Sequence, residues 1–211
     1  MIKIAVLVSG GGTNLQALID AWKENRFENR TSSEIKSAEI SLVISSTESA
    51  FALERAKKAG IKTVTIERKK YTKASDFDTA LAAVLNENDI NLVVLAGFLC
   101  ILGDQVIELF ENRIINVHPS LIPSFCGKGF YGLRVHKAVL EKGVKITGAT
   151  VHLVNSEIDG GKILLQKAID VLPDDTPESL QQRVMRECEQ VLLPKAVEML
   201  CDELKIKRDK L

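Results

Sequence analysis

The sequence predicts an α/β protein: a doubly wound, mostly parallel, Rossmann-like sheet with an antiparallel strand pair in its C-terminal half. In residues 1–97 short apolar runs alternate with helical patterns. Those runs are nearly continuous in Val, Ile and Leu, as strands covered on both faces must be. Near the C-terminal end only the seven residues 155–161 separate two strand candidates. Seven residues are too few for a crossover helix, so that pair is expected to be antiparallel.

IKIAVLV (2–8) reads as the first strand, and a helical pattern follows from Asn14 to about Glu24. AEISLVIS (38–45) is the second strand, a helix spans about Ala50–Ala59, and TVTI (63–66) is the third strand. A helix over about Ser75–Leu85 leads into NLVVLAG (91–97), and ILGDQVIELF (101–110) suits a short helix. The next strand, 113–118, is closed by Pro119 and Pro123, which forbid both a helix and a central ladder. A loop rich in Pro and Gly (119–132) and a helix around Val135–Glu141 precede KITGATVHLV (145–154) and KILLQKAIDV (162–171), the antiparallel pair. The last helix should start at Asp175 or Thr176, with Pro177 in its first turn. Glu178 completes a capping box if Asp175 is the cap, and the helix should reach about Leu204 with a kink at Pro194. NRTSSEIKSA (29–38) is expected as a surface loop and KIKRDKL (205–211) as a solvated end. One domain over 1–211 is the expected organisation.

Hydrophobic residues make up 45% and charged residues 27% of the chain, which suits one sizeable core. Lys plus Arg and Asp plus Glu are equal at 28 each, so no net field favours a nucleic acid or an anionic membrane. Small-molecule partners are expected instead. Cys100, Cys126, Cys188 and Cys201 have no Cys-x-x-Cys spacing, which argues against a zinc ribbon or a disulfide framework. The apolar run Ile4–Val8 is too short for a signal peptide, and Leu92–Leu102 falls short of the ~18 residues of a membrane helix. A cytoplasmic protein is therefore expected.

Three stretches carry chemistry. SGGGTNL (9–15) joins the first strand to the first helix. Its glycines allow a tight turn and close ligand approach, and Thr13 and Asn14 suit the cap of a helix whose N-terminus attracts anions. Leu15 stands where a dinucleotide fingerprint has its third glycine, Ser45 and Ser46 end the second strand without an acid, and no Lys follows the glycines. A small phosphomonoester is the expected ligand; the alternative is a tight turn with an ordinary cap. In INVHPSLIP (115–123), Asn116 and His118 are two apart and so project from one strand face. The alternative is a polar pair that satisfies nearby loop backbone. NSEIDGG (155–161) brings Glu157 and Asp159 onto a turn, with two glycines opening space against the next strand.

A carboxylate raises the pKa of a neighbouring His and fixes its tautomer, and an amide beside it donates to a developing oxyanion. Together these form an acyl-transfer set. With no nucleophile elbow, direct attack by an amine is favoured over a covalent acyl-enzyme. Of the other two histidines, His152 is expected to face the site or a polar cavity and His136 a helix surface. No metal-type spacing links the three, and no bound metal is expected.

SGGGTNLQALID, VVLAGFLCIL, INVHPSLIPSF, GATVHLVNSEIDGG and RECEQVLLP together resemble the phosphoribosylglycinamide formyltransferases, folate-dependent enzymes of purine synthesis. The resemblance covers nearly the whole chain. It implies formyl transfer from 10-formyltetrahydrofolate to the amine of glycinamide ribonucleotide, with Asn116, His118 and Asp159 catalytic. Asn116 and a protonated His118 would donate to the oxyanion, while Asp159 would hold and charge that His and move the proton. It further implies phosphate on Gly12, Thr13 and Asn14, ribose hydroxyls on Glu189, and Pro119 lining the substrate. The pterin would lie against Leu99, Cys100, Ile101 and Leu102, Asn116, and the turn Asn155, Ser156, Glu157, Ile158 and Asp159. Residues 1–100 would form the phosphate-binding half and 101–211 the catalytic and folate-binding half of a monomer or homodimer. Methionyl-tRNA formyltransferase shares the trio but carries a C-terminal nucleic-acid domain, which is not expected here. A formyltetrahydrofolate deformylase and a nonenzymatic phosphate-binding module are the other readings.

Overall fold

The computed structural model describes residues 1–26 and 38–208. The 29–38 loop, apart from Ala38, lies outside the described residues, as do the last three residues of the tail. In chain order the elements are β1 (Ile2–Val8), α1 (Thr13–Lys23), β2 (Ala38–Ser45), α2 (Phe51–Lys58), β3 (Lys62–Thr65), α3 (Ala74–Glu87), β4 (Leu92–Leu95) and α4 (Asp104–Leu109). They continue with β5 (Ile114–His118), α5 (Leu133–Lys142), β6 (Ile146–Leu153), β7 (Ile163–Asp170), α6 (Pro177–Val184), a π-turn (Met185–Glu189) and α7 (Gln190–Arg208). The sheet has seven strands in the order β3-β2-β1-β4-β5-β6-β7. β1 pairs in parallel with β2 and β4, and β2 with β3; β5 with β6 and β6 with β7 are antiparallel. The predicted fold class holds, and the β5/β6 pairing extends its antiparallel part.

Contacts divide the chain into two compact units, Met1–Ile114 with Val197–Leu211, and Ile115–Ala196. In the first, Ala5, Val6, Leu7 and Val8 of β1 are all fully buried, because a parallel strand covered on both faces has no side left for water. Leu15, Leu18 and Ile19 of α1, Leu42 and Ile44 of β2, and Phe77, Leu81 and Leu85 of α3 fill the core around it. The chain steps outward from β1 to β2 to β3 and then returns through α3 to β4 on the other side of β1. Right-handed crossovers then put α1 and α2 on one face and α3 on the other. At such a reversal the C-terminal ends of the two central strands part, and ligands of open α/β sheets bind there. Here the loops after β1 and β4, beginning at Ser9 and Ala96, meet that description. The second of them is anchored by Asp78, a buried α3 carboxylate that accepts from the amides of Gly103 (2.8 Å) and Val106 (3.2 Å) at the start of α4.

In the second unit Val117 of β5, Val151 of β6, Val135 and Val139 of α5, and Leu180 and Val184 of α6 are buried. Along β7 Gln166 and Lys167 are exposed, and a lysine on an outermost strand discourages pairing with another chain. The cap of α6 is Thr176, with Pro177 next. The capping box is completed by Ser179 rather than Glu178: Thr176 Oγ1 accepts from Ser179 N (3.2 Å) and Ser179 Oγ accepts from Thr176 N (2.9 Å). Asp175 cannot cap because it accepts from Leu172 N (2.8 Å) and pairs with Arg183 (2.6 Å). The final helical stretch runs past Leu204 to Arg208 and is interrupted by the π-turn, which ends five residues before Pro194. Among the described residues no helix is long and apolar enough to cross a membrane.

Candidate active site

The antiparallel register of the second unit decides which side chains share a face. Asn116 stands opposite His152, and His118 opposite Thr150. Asn116, His118 and His152 therefore project from the same side of the sheet. Asp159 reaches them from the turn after β6, with its backbone in the left-handed region at φ 56°. That turn needs its glycines: a Cβ on Gly161 would stand 1.7 Å from the carbonyl oxygen of Leu153.

Asp159 is the hub. Its Oδ2 accepts from Gly127 N (2.8 Å) and lies 3.6 Å from His118 Nδ1. Its Oδ1 lies 3.5 Å from both His152 Nε2 and Asn116 Nδ2. Asn116 Nδ2 also meets His152 Nε2 at 3.2 Å. Each imidazole has its other nitrogen on a backbone carbonyl, His118 Nε2 on Phe125 O (2.9 Å) and His152 Nδ1 on Leu153 O (2.8 Å). A carbonyl only accepts, so those nitrogens carry hydrogen, and the tautomers are assigned from these partners. His152 Nε2 faces both the Asn116 amide (3.2 Å) and the Asp159 carboxylate (3.5 Å). His118 presents Nδ1 to the carboxylate, where an added proton would be shared with Asp159.

Burial pushes the His118 pKa down, and the charge of Asp159 and the Phe125 carbonyl only partly offset it. The raised value expected from a neighbouring carboxylate does not prevail, because His118 is only 4% exposed and its charged form loses water. Burial also works to raise Asp159, but the hydrogen bond with His152, the charge of His118 and the Gly127 amide outweigh it and hold the carboxyl below its ordinary value. The resting site is a carboxylate between two imidazoles, with His118 disposed to be neutral. Cys126 Sγ donates to Pro123 O (3.3 Å), and burial, then Asp159 and Glu157, push its thiol up. That is the opposite of an activated nucleophile.

In the first unit, the loop after β1 is tied to the loop after β4. Ser9 N donates to Gly97 O (3.1 Å), Leu99 N donates to Ser9 Oγ (2.9 Å), and Ser9 Oγ lies 2.6 Å from Ser46 Oγ. The residue at the cap of α1 is Gly12, at φ 71°, with no side-chain cap. Thr13 already begins the helix, so the capping expected of Thr13 and Asn14 gives way to a left-handed glycine. A Cβ on Gly12 would come 2.6 Å from that of Ala52, so α2 also requires the glycine. At Gly10 and Gly11, by contrast, a Cβ would meet nothing within 4 Å. Leu99 and Ile101 are exposed, Cys100 half-buried and Leu102 buried.

Residues 2–197 match the protein family described as formyl transferase. The chain belongs to the formyl transferase family. Among solved structures, this formyl transferase superposes on glycinamide ribonucleotide transformylase 1 from Symbiobacterium toebii with a TM-score of 0.86. The two are 39% identical, over 96% of this chain and 89% of the other. It is 35% identical over 202 residues to the chloroplastic phosphoribosylglycinamide formyltransferase of Arabidopsis thaliana, covering 95% of this chain and 66% of that protein. It is 42% identical over 199 residues to the trifunctional purine biosynthetic protein adenosine-3 of Gallus gallus, covering 94% of this chain. The formyl transferase spans only 18% of the length of that trifunctional relative.

The remaining site candidates of the formyl transferase are placed as follows. Pro119 follows β5 and is half-buried; Asn155, Ser156, Glu157 and Ile158 form an exposed turn closed by Glu157 N on Asn155 Oδ1 (3.1 Å). Glu189 is buried and ends the π-turn, a widened helical geometry often found at functional sites. His152, for which the sequence allows either the site or a polar cavity, joins the site; its place opposite Asn116 follows from the register. The carbonyl of Phe125 and the amide of Gly127 also line the site, and backbone groups leave no signature in residue type. Among the described residues no cluster of His, Cys, Asp and Glu fits a metal ion.

His136 is a correction. It is fully buried on the α5 face that also buries Val135 and Val139, not on a helix surface. Neither ring nitrogen has a hydrogen-bond partner among the described residues. Burial, aided by the charge of His118, pushes its pKa down to about 4 from 6.5. Between those values the unfolded chain binds a proton that the folded one refuses, so stability present above pH 6.5 is lost as pH falls through about 4. At 1.36 kcal/mol per unit the loss approaches about 3 kcal/mol. Urea unfolding of the wild type and His136→Leu at pH 7 and pH 4.5 checks this. The substitution should flatten the pH dependence, and an unchanged slope would refute the assignment.

Proposed function

We propose that this formyl transferase moves the formyl group of 10-formyltetrahydrofolate to the amine of glycinamide ribonucleotide. The observation that carries the reading is the ionised Asp159 held between His118, His152 and Asn116, beside a Cys126 thiol that is pushed up rather than activated. The amine attacks the formyl carbon directly. As that C–N bond forms, the formyl oxygen takes on negative charge; as the C–N10 bond breaks, the proton lost by the amine ends on N10. Asp159 relays that proton.

The donors to the oxyanion are Asn116 Nδ2 and His118 Nε2, and both are occupied at rest by internal acceptors. That arrangement favours the transition state. A neutral formyl oxygen gains little by displacing the Phe125 carbonyl from His118, whereas a hydrogen bond to a charged oxygen is about twice as strong. The exchange therefore becomes favourable as charge develops. The phosphate is assigned to Gly12, Thr13 and Asn14 and the ribose hydroxyls to Glu189, whose two oxygens suit a vicinal diol. The pterin is assigned to residues 99–102 and 155–159. The four cysteines are free thiols, which fits a reducing compartment such as the cytoplasm.

The test is turnover of 10-formyltetrahydrofolate by the pure protein with and without glycinamide ribonucleotide. Formylated amine and free tetrahydrofolate should appear together, and only when both substrates are present. Release of formate regardless of the amine would make the protein a hydrolase, and binding of phosphate ligands without turnover would make it a binding module.

A further inference from the structure

The N-terminal half of α2 touches each of the three glycines after β1 in turn. Ala52 N donates to Gly10 O (3.1 Å), Arg55 Nε donates to Gly11 O (2.9 Å), and the space beside Gly12 is closed by Ala52. Arg55 is itself held. Its Nη1 donates to Gln16 Oε1 (3.1 Å), and its guanidinium carbon lies 5.1 Å from the centre of the Phe51 ring. Gln16 is fixed in turn, since its Nε2 donates to Asp20 Oδ1 (2.8 Å). Among the described residues the direct partners of Arg55 are a carbonyl, an amide oxygen and a ring, none of them anionic.

A trans peptide points its carbonyl and the following N–H in opposite directions. Holding Gly10 O and Gly11 O against α2 therefore turns the amides of Gly11 and Gly12 to the other side, as neighbours. Successive amides facing one way make an anion-binding nest. The loop also has open space beside it, since a Cβ on Gly10 or Gly11 would meet nothing within 4 Å.

We propose that Arg55 is a positioning residue of the phosphate site: it clamps Gly11 O so that the Gly11 and Gly12 amides face the phosphate of the amine substrate. This rests on the assignment of the loop to phosphate made above. Arg55 touches no reacting atom, so it acts on substrate affinity rather than on the chemical step. Nothing in the sequence advertises the role, since Arg55 lies 44 residues beyond Gly11, in the midst of an ordinary charged helix.

The experiment compares Arg55→Ala and Arg55→Lys with the wild type in the full chain, reading KM for each substrate, kcat, competitive inhibition by inorganic phosphate, and the thermal midpoint. Arg55→Ala should raise the KM for glycinamide ribonucleotide about tenfold, the loss of one hydrogen bond involving a charged group. It should weaken phosphate inhibition in parallel and leave kcat and the folate KM unchanged. Arg55→Lys keeps the charge and one donor and should recover part of the loss. An unchanged substrate KM in Arg55→Ala overturns the proposal. So does an equal fall in folate affinity and kcat with a lowered thermal midpoint, which marks a purely structural residue. If Arg55→Ala does not fold, a substrate KM in Arg55→Lys equal to the wild type's overturns it as well. The Gly11→Val variant described below separates the two failures: if Gly11→Val leaves substrate KM unchanged, the loop is not the phosphate site at all; if only Arg55 is silent, the clamp alone is wrong.

Discussion

His118→Ala and Asp159→Asn should each lower kcat by about two to three orders of magnitude, the usual cost of losing one donor to an oxyanion. In combination they should cost little more than the worse of the two, because groups that act as a unit do not add. The geometry explains the coupling. Among the described residues Asp159 Oδ2 is the only carboxylate oxygen placed on His118 Nδ1, so an imidazolium at 118 loses its anionic support once Asp159 is neutral. Conversely, without His118 the carboxylate keeps Gly127 N and His152 but loses the charge that forms beside it. Steady-state kinetics with circular dichroism of all three proteins checks the expectation. Near-normal turnover in either single variant would remove the trio from the chemistry. Unfolding that accounts for the whole loss would leave Asn116 and His118 as the strand-end polar pair that the sequence alone also allowed.

Gly11→Val should raise the KM for the phosphate-bearing substrate by about two orders of magnitude, since two amide hydrogen bonds to a charged oxygen contribute about 1.5 kcal/mol each or more. Gly11 is a cleaner probe than Gly12. A side chain at Gly12 would meet Ala52 and would have to adopt φ 71°, so Gly12→Val disturbs the loop even without ligand. A Cβ at Gly11 meets no protein atom within 4 Å and so intrudes only on what binds there. The folate KM and the thermal midpoint should stay where they are. A substrate KM within twofold of the wild type would return SGGG to a turn.

The layout was legible in the sequence wherever burial on both faces imposes continuous apolar runs, as in β1 and β4, and wherever a connection is short, as between β6 and β7. The Asn116 and His118 pair was legible because a strand forces residues two apart onto one face. What escaped depended on partners distant in sequence. His152 joins the site through its register with β5, which no local pattern reports. His136 lies between Val135 and Lys137, and only tertiary packing turns it inward. The cap of α1 shifted to Gly12, which answers to Ala52, and that of α6 fell on Thr176, the second of the two starts expected, because Asp175 answers to Arg183. The short 3-10 turn over Arg68–Lys70 and the π-turn are likewise set by context.

The backbone at Asp159 has a consequence for mutation. Glycine, asparagine and aspartate are the residues that visit a left-handed conformation such as φ 56° most readily, and only aspartate among them brings a charge. One nucleotide change in an aspartate codon reaches asparagine or glycine, which keep the turn and discard the charge. Another reaches glutamate, which keeps the charge but strains the turn and sets its carboxylate one methylene farther out. No single-nucleotide step from Asp159 preserves both, so drift at this codon has no neutral neighbour other than its own synonym.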